Sequence, residues 1–400
     1  MAVYARDYQP LPLFEFSVGT DASRDYSSLT ACFAALNNTL VDKANSKVII
    51  TVYNDTGTDK WYCDTSTVTL NIPSNCIDFV LTVDDDSWHK GQYDKGCIIQ
   101  LQSTSSNGCF LLNAGNNNRI LIERLAFDAN NQIGGNAFLP SIFVSSNSSV
   151  STGYTPIPPN SLKNLYVRGG DGTTADNVRA MRGISTSARH FLVDSCIVEN
   201  LVCSGGSTSY GGIGINVYFR SQIRNCTVNN VEFQNTTGTN IGIYGATNYG
   251  NTENCIVTNV GAGAGLSECY LSSMINLSNC VADDTTGTTQ STASTEFVDH
   301  ANSDYKLNSG ASAAGVGYSG NAIEEDITGQ KRKAGVARDA GAFNNIAGYD
   351  ADPAAASSGG GGGGSSTPTA GTQVYPFRQF VEADFGSAGG GATLHPLRSN

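Results

Sequence analysis

The sequence predicts an all-β solenoid, a coil of short strands stacked turn on turn, and two observations predict it. The first is a phrase that recurs between Ser195 and Asp284. Cys196-Ile197-Val198-Glu199-Asn200, Cys226-Thr227-Val228-Asn229-Asn230, Cys255-Ile256-Val257-Thr258-Asn259 and Cys280-Val281-Ala282-Asp283-Asp284 follow one another at spacings of 30, 29 and 25 residues. Self-similarity at that period, on a strand of period 2 with no helical segment between copies, marks strands that stack. The second is composition: 45 Gly, 11 Pro and 14% charged residues in 400, with abundant Asn, Ser and Thr, suit many short strands and tight turns. A solenoid grows by adding turns, so this length need not divide into globular domains.

Alternation within the phrase places Cys196 and Val198 on one face and Ile197 and Glu199 on the other. A thiol is a small, readily buried group, so Cys196, Cys226, Cys255 and Cys280 are expected to form a core ladder at the ~4.8 Å strand spacing. Asn200, Asn230 and Asn259 then fall where the strand bends. There an amide tolerates a left-handed backbone and bonds its neighbour on the next turn, an Asn ladder interrupted at Asp284. A second column, Gly183-Ile184-Ser185, Ile213-Gly214-Ile215 and Ile241-Gly242-Ile243, precedes each Cys and requires at least two strands per turn. Leu replaces Cys upstream, in Arg124-Leu125-Ala126-Phe127 and Asn164-Leu165-Tyr166-Val167. Counting from Cys97 to Phe343 predicts roughly nine turns, about 40 Å of stack.

The ends follow in order. Residues 1–24 are an irregular arm with Pro10, Pro12 and several aromatics. Residues 25–96 carry a capping helix and the first strands. Leu29, Cys32, Phe33, Leu36 and Leu40 fall at helical spacing, with Asp25 or Ser27 able to cap the start, and Lys47 to Tyr53 reads as a strand. Covering the first open turn prevents an exposed edge from templating aggregation. The coil itself is expected over 97–346.

Toward its end the coil carries Asp326-Ile327-Thr328-Gly329-Gln330-Lys331-Arg332 and Asp339-Ala340-Gly341-Ala342-Phe343. This pattern resembles the C-terminal turns of right-handed parallel β-helix proteins of the pectate-lyase-like superfamily, of the bacterial and phage-encoded kind. The helix beginning Tyr26-Ser27-Ser28-Leu29 and the strand after it are similar to the start of the same proteins. The resemblance covers about residues 21 to 346 and implies a right-handed parallel β-helix. It does not select a function, since the superfamily holds lyases, hydrolases, adhesins and inert virion parts.

Residues 347–373 then form a Gly/Ser/Ala/Pro linker, with six consecutive glycines from Gly359 to Gly364. Residues 374–400 are aromatic again and too few to build a core. They read as an anchoring segment whose partner-binding residues are Tyr375, Phe377, Phe380, Phe385, Leu394 and Leu397.

A net charge of −12 argues against a nucleic-acid groove or an anionic membrane surface, with Lys331-Arg332-Lys333 as the one basic run. No stretch approaches 18 apolar residues. Met1 to Asp7 lacks the basic-then-apolar pattern of a secretory leader, and 11 Cys, an odd number with at least four in a core column, read as reduced thiols of a chain assembled in a cytosol. No cofactor is expected. The four His, at 89, 190, 300 and 395, match no metal spacing.

Lyases of the superfamily use carboxylates to hold calcium and a basic residue as base, while its hydrolases use clustered Asp. We therefore sought carboxylates recurring at one strand position. Glu199 meets Asn229, Thr258 and Asp283 in the next turns, which predicts no cluster. Asp84, Asp85 and Asp86 are the densest acidic run and the candidate catalytic residues, with a solvated turn as the competing reading.

The function expected from these features is that of a structural virion protein of a bacteriophage, a capsid decoration or tail component, and not an enzyme. Its partners would be other virion proteins and copies of itself, with host-surface glycans a further partner, and its location the virion, assembled in the host cytoplasm. The alternatives are a carbohydrate-active β-helix, a polysaccharide lyase or depolymerase, or an extracellular adhesin.

Overall fold

The computed structural model describes residues 11–343, apart from 40–45, 73–77, 103–107, 115–118, 131–137, 147–159, 172–179, 187–190, 204–210, 218–220, 234–238, 246–249, 262–266, 272–274, 318–323 and 333–338. The linker and Tyr375, Phe377, Phe380, Phe385, Leu394 and Leu397 lie outside the described residues, as does Leu40.

Each turn contributes three strands, one to each of three parallel sheets. Phe191–Asp194, Ile197–Cys203 and Ile213–Val217 make one turn, and Gln222–Arg224, Thr227–Phe233 and Asn240–Gly245 make the next. Among the described residues the first and second sheets have nine strands each and the third has seven. Successive turns pair in register, Val198 on Val228 and Val228 on Val257, so like residues lie over one another. The chain is a right-handed parallel β-helix.

The core is narrow. Cys196, Cys226, Cys255 and Cys280 are fully buried, with Val198, Val228 and Val257 beside them. Each thiol sits just past a sharp bend between the first and second sheets, and that bend is a residue in the left-handed region: Ser195 (φ 54°), Asn225 (53°), Asn254 (54°) and Asn279 (53°). Gly183, Gly214 and Gly242 face the valine column across the core. A Cβ on any of them would collide with Val198, Val228 or Val257, so only glycine lets the second and third sheets approach.

Asn200, Asn230 and Asn259 also have positive φ, of 53°, 60° and 56°. Asn230 Nδ2 donates to Asn200 Oδ1 at 2.8 Å, while Asn259 Nδ2 turns aside to Asn229 Oδ1 at 2.9 Å. A second Asn ladder, absent from the sequence reading, stands at the preceding bend. Asn254 Nδ2 donates to Asn225 Oδ1 at 3.3 Å and Asn225 Nδ2 to Asp194 Oδ1 at 2.9 Å.

The expected boundaries shift at both ends. Leu13–Val18, within the arm, is the outermost strand of the first sheet and pairs with Lys47–Val52. The first three-strand turn is Lys47–Val52, Lys60–Asp64 and Val68–Ile72, well before Cys97. These early turns lack the recurring phrase, which is why spacing alone does not reveal them. The helix Leu29–Thr39 buries Leu29, Cys32, Phe33 and Leu36, and the Phe33 ring meets Phe110 edge-on at 6.1 Å. Its start is capped by Ser28, whose Oγ accepts from Ala31 N–H at 3.1 Å, and by Asp64, which accepts from Thr30 N–H at 2.7 Å. Neither Asp25 nor Ser27 takes that role. Asp25 binds Ser17 instead.

At the far end the last parallel strand among the described residues is Thr289–Gln290, and the described residues from there to Phe343 do not continue the coil. Side chains close the stack. Asp284 accepts from Cys269 N–H at 2.7 Å, Thr286 Oγ1 from Tyr270 N–H at 3.0 Å, and Thr288 Oγ1 from Cys280 N–H at 2.6 Å. The chain then turns back over the outside of the second sheet. This return holds the short helix Ala293–Glu296, the hairpin of Phe297–Asp299 with Asp304–Leu307, and the hairpin of Glu324–Glu325 with Lys331–Arg332. It buries an outward apolar column of the second sheet, Ile98, Ala126, Tyr166, Ile197, Ile256 and Val281, beneath Phe297, Tyr305, Leu307, Ile327 and Phe343. Ile197, read as an outward residue, is therefore fully buried.

The two terminal motifs are the fasteners of this return. Asp326 Oδ1 accepts from the Thr328 and Gln330 amides at 2.8 and 2.9 Å and closes a turn at Gly329. Arg332, fully buried, donates to the carbonyls of Asp339, Gly341 and Ala342 at 2.8, 2.7 and 3.1 Å. Gly341, at φ 87°, packs flat on Ile256 and Thr227 and donates its N–H to Asn254 O at 2.6 Å. Arg332 thus belongs to the interior, not to a basic surface run.

Candidate functional site

Two residues beyond the apolar column, the second sheet presents a polar one. Register places Gln100, Asp128, Arg168, Glu199, Asn229 and Thr258 at one strand position in six successive turns. Its charged members, Asp128, Arg168 and Glu199, are adjacent. Comparison of position 199 with later turns alone hides them, because they lie upstream, one residue past the Phe127 and Val167 that the sequence register had already reached. The two carboxylates stand two turns apart with Arg168 between them, so the column is one of mixed charge and not a run of neighbouring carboxylates.

Each group in the column has a partner. Asp128 accepts from Gln100 Nε2 at 2.6 Å and from Tyr93 Oη at 2.5 Å. Burial, then the bond to Asp128, pushes the Tyr93 phenol well up, which keeps it a donor. The Arg168 guanidinium lies over the Tyr93 ring at 4.2 Å, and its Nε is 3.8 Å from Glu199 Oε1. Burial opposes its charge, but Glu199, Tyr93 and Asp128 outweigh burial and raise its pKa.

Glu199 is fully buried. It accepts from Ser303 Oγ at 2.8 and 3.0 Å and from Tyr305 Oη at 2.6 Å, both on the return. Tyr305 Oη in turn accepts from Asn229 Nδ2 at 3.0 Å, and Thr258 Oγ1 donates to Asn229 Oδ1 at 3.0 Å. Ser303 holds a left-handed backbone (φ 62°), a conformation uncommon for serine. No sequence signal marks Ser303 or Tyr305, which stand 104 and 106 residues from Glu199.

Asp84, Asp85 and Asp86 are elsewhere, in the turn after the strand Asp78–Val83. Asp85 and Asp86 are exposed, and Asp85 pairs with Arg124, whose guanidinium stacks 4.7 Å from the Trp88 ring. His89 is fully buried. Its Nε2–H donates to Asn164 O at 2.9 Å, and its Nδ1 accepts from Gly91 N–H at 2.9 Å. Burial pushes its pKa down to about 4, so it stands neutral beside the acidic run.

Across the first sheet, Glu123, Lys163, Asp194, Arg224 and Glu253 alternate in sign down one column. Arg224 Nη2 bonds Asp194 at 2.9 Å. Burial pushes Asp194 up, but Arg224, Lys163 and Asn225 outweigh it and its pKa falls. On the third sheet, Arg182 Nη1 donates to Ser185 Oγ at 3.5 Å.

Cys32, Cys63, Cys97, Cys109, Cys196, Cys226, Cys255, Cys269 and Cys280 are free and buried. Burial pushes the thiols of Cys63, Cys109, Cys196 and Cys255 well up. Among the described residues no three His, Cys, Asp or Glu side chains gather as a metal site, and no helix is long and apolar enough to cross a membrane.

Among solved structures, the chain is similar to pectate lyase Pel9A, at 12% identity and a TM-score of 0.26 over 84% of this chain and 96% of that one. A likeness at that level carries no argument about activity. No family model matches the sequence, and no curated protein matches it either.

Proposed function

We propose that this β-helix is a structural protein of a bacteriophage virion, a capsid decoration or tail component, held to its particle through its terminal segments. The observation that carries the architectural part is the use of Glu199. Its carboxylate, the most buried acidic group of the polar column, is engaged by Ser303 and Tyr305 to close the molecule on itself. Asp128 is likewise engaged by Tyr93 and Gln100. The virion assignment rests on the sequence: terminal patterns similar to those of bacterial and phage-encoded β-helices, and a Gly/Ser/Ala/Pro-rich sequence ahead of an aromatic segment too short to build its own core.

Burying Phe377, Phe380 and Phe385 on a partner would supply about 2 kcal/mol per side chain before ordering costs. Many copies add avidity. Deleting 374–400 tests the anchor. The expected product is a folded, soluble β-helix that no longer joins particles or oligomers, and normal assembly of the truncated chain overturns the reading. Release of unsaturated or reducing-end products from a host polysaccharide would instead favour the carbohydrate-active alternative.

A further inference from the structure

Of the four stacked thiols, the last pair, Cys255 and Cys280, stands in different surroundings from the others. On the first sheet, Leu162, Val193, Ile223 and Thr252 hold one inward position in four successive turns. On the third sheet, Ile184, Ile215, Ile243 and Tyr270 do the same. The upper thiols therefore pack among aliphatic side chains, while a hydroxyl from each of two sheets joins the core beside the last pair. Cys280 Sγ lies 3.5 Å from Thr252 O, and Tyr270 Oη lies 3.0 Å from the carbonyl oxygens of both Cys255 and Val281. Tyr270 has one proton for those two carbonyls. The Thr252 hydroxyl is buried without a hydrogen-bond partner among the described residues, a cost that no contact within the protein offsets. We propose that Cys255 and Cys280 bind a soft monovalent cation, copper(I), between their sulfurs, with the Thr252 hydroxyl donating to the metal-bound thiolate.

Geometry decides the class of ion. Thiols one turn apart follow the ~4.8 Å strand spacing. Two metal–sulfur bonds of roughly 2.3 Å, the zinc–thiolate length, span nearly that distance when placed end to end. A single file offers an ion one sulfur above and one below, which suits linear copper(I) and not the four-ligand shell of zinc. The nearby thiol of Cys269 is engaged by Asp283 Oδ1 at 2.9 Å and adds no third sulfur. Asp283 and Asp284 stand at this end of the stack, and their charge favours the approach of a cation. Cys280 N–H is bonded to Thr288 Oγ1 at 2.6 Å in the closure of the stack, so an ion reaches this pair by opening one cap and not by unwinding the coil. Binding two thiols to one copper(I) forms two copper–sulfur bonds and releases two protons to water, with no change of oxidation state. Burial opposes ionisation of Cys280, but its bond with the Cys255 thiol outweighs burial and its pKa falls, so Cys280 is the first of the two to give up its proton. The linear complex carries one negative charge, which the hydroxyls of Thr252 and Tyr270 solvate by turning their hydrogens toward sulfur.

The inference is independent of particle attachment, because both thiols lie inside the coil. The test is competition for copper(I) between the full, reduced chain and the chelator bicinchoninate under nitrogen, with zinc(II) as the control ion. The parent should hold a copper that Cys280→Ala loses and Cys196→Ala keeps, and X-ray absorption of the loaded protein should show two sulfur neighbours. Thr252→Val separates a ligand site from mere packing. Without metal it should melt at a higher temperature than the parent, since an unpartnered buried hydroxyl is gone, yet bind copper(I) about 10-fold more weakly. Because it keeps the side-chain volume, this variant decides the question alone if Cys280→Ala does not fold. The inference is overturned if the parent yields all its copper to bicinchoninate, if Cys280→Ala holds as much as the parent, if Thr252→Val binds as tightly, or if zinc(II) displaces the copper.

Discussion

Removing the Tyr305 hydroxyl should unfasten the return while the coil remains. Tyr305→Phe keeps the ring and its edge-on contact with Phe297 at 5.2 Å. It deletes the donor to Glu199 Oε2 at 2.6 Å and the acceptor for Asn229 Nδ2 at 3.0 Å. A hydrogen bond to a charged group contributes about 1.5–3 kcal/mol, and the orphaned Asn229 donor adds its own desolvation, for a combined loss of about 2–4 kcal/mol. In a solenoid such a loss is felt locally, because distant turns do not touch the site. It is best read by hydrogen exchange at amides that depend on the return. These are Ser312 and Ala313, which bond Glu296, and Gly341 and Ala342, which bond Asn254 O and Thr227 Oγ1. Protection at these four should fall ~30- to ~1,000-fold at one decade per 1.4 kcal/mol, while Val198, Val228 and Val257 keep theirs. A double-mutant cycle with Glu199→Gln should return a coupling above ~0.5 kcal/mol. Unchanged protection in the return, or equal loss throughout the coil, would refute the assignment of Glu199 and Tyr305 as its fastener.

Two further outcomes concern buried groups. Cys226→Ala should cost about 1–3 kcal/mol, while Cys226→Asp places an unpaired charge in a fully buried column and should prevent soluble folding. A thiol reagent that labels the native protein as fast as the denatured one would show that the column is not inside. His89 has its pKa lowered by burial to about 4 from 6.5, so the folded state resists a proton that the unfolded chain accepts. The neutral ring therefore contributes about 3 kcal/mol above pH ~6.5, and that contribution is lost as pH falls through the folded value. Denaturant midpoints of the parent should drop more steeply between pH 6.5 and 4 than those of His89→Gln, and parallel curves would contradict the buried, neutral assignment.

What the sequence determined by itself was the repeating part. The Cys and Val columns, the bend-forming Asn residues, the stacked Ile-Gly-Ile strands and the amphipathic Leu29-to-Leu36 face are all legible. In a parallel coil each side chain meets its own counterpart one turn away, so spacing along the chain is contact in space. The first-sheet strand of each turn was harder to see, since Phe191 to Asp194 and Gln222 to Arg224 are short and lead directly into the Asn/Ser–Cys bend. Tertiary structure alone decided where the coil stops and what happens outside it. Ser303 reaches Glu199, Tyr305 reaches Asn229, and Ala342 reaches Thr227 across separations of 104, 76 and 115 residues. Those contacts obey no period, because the return crosses the turns instead of joining the stack. Whether Asp128, Arg168 and Glu199 face solvent, a ligand or the protein's own chain is set by that crossing, and no spacing rule encodes it.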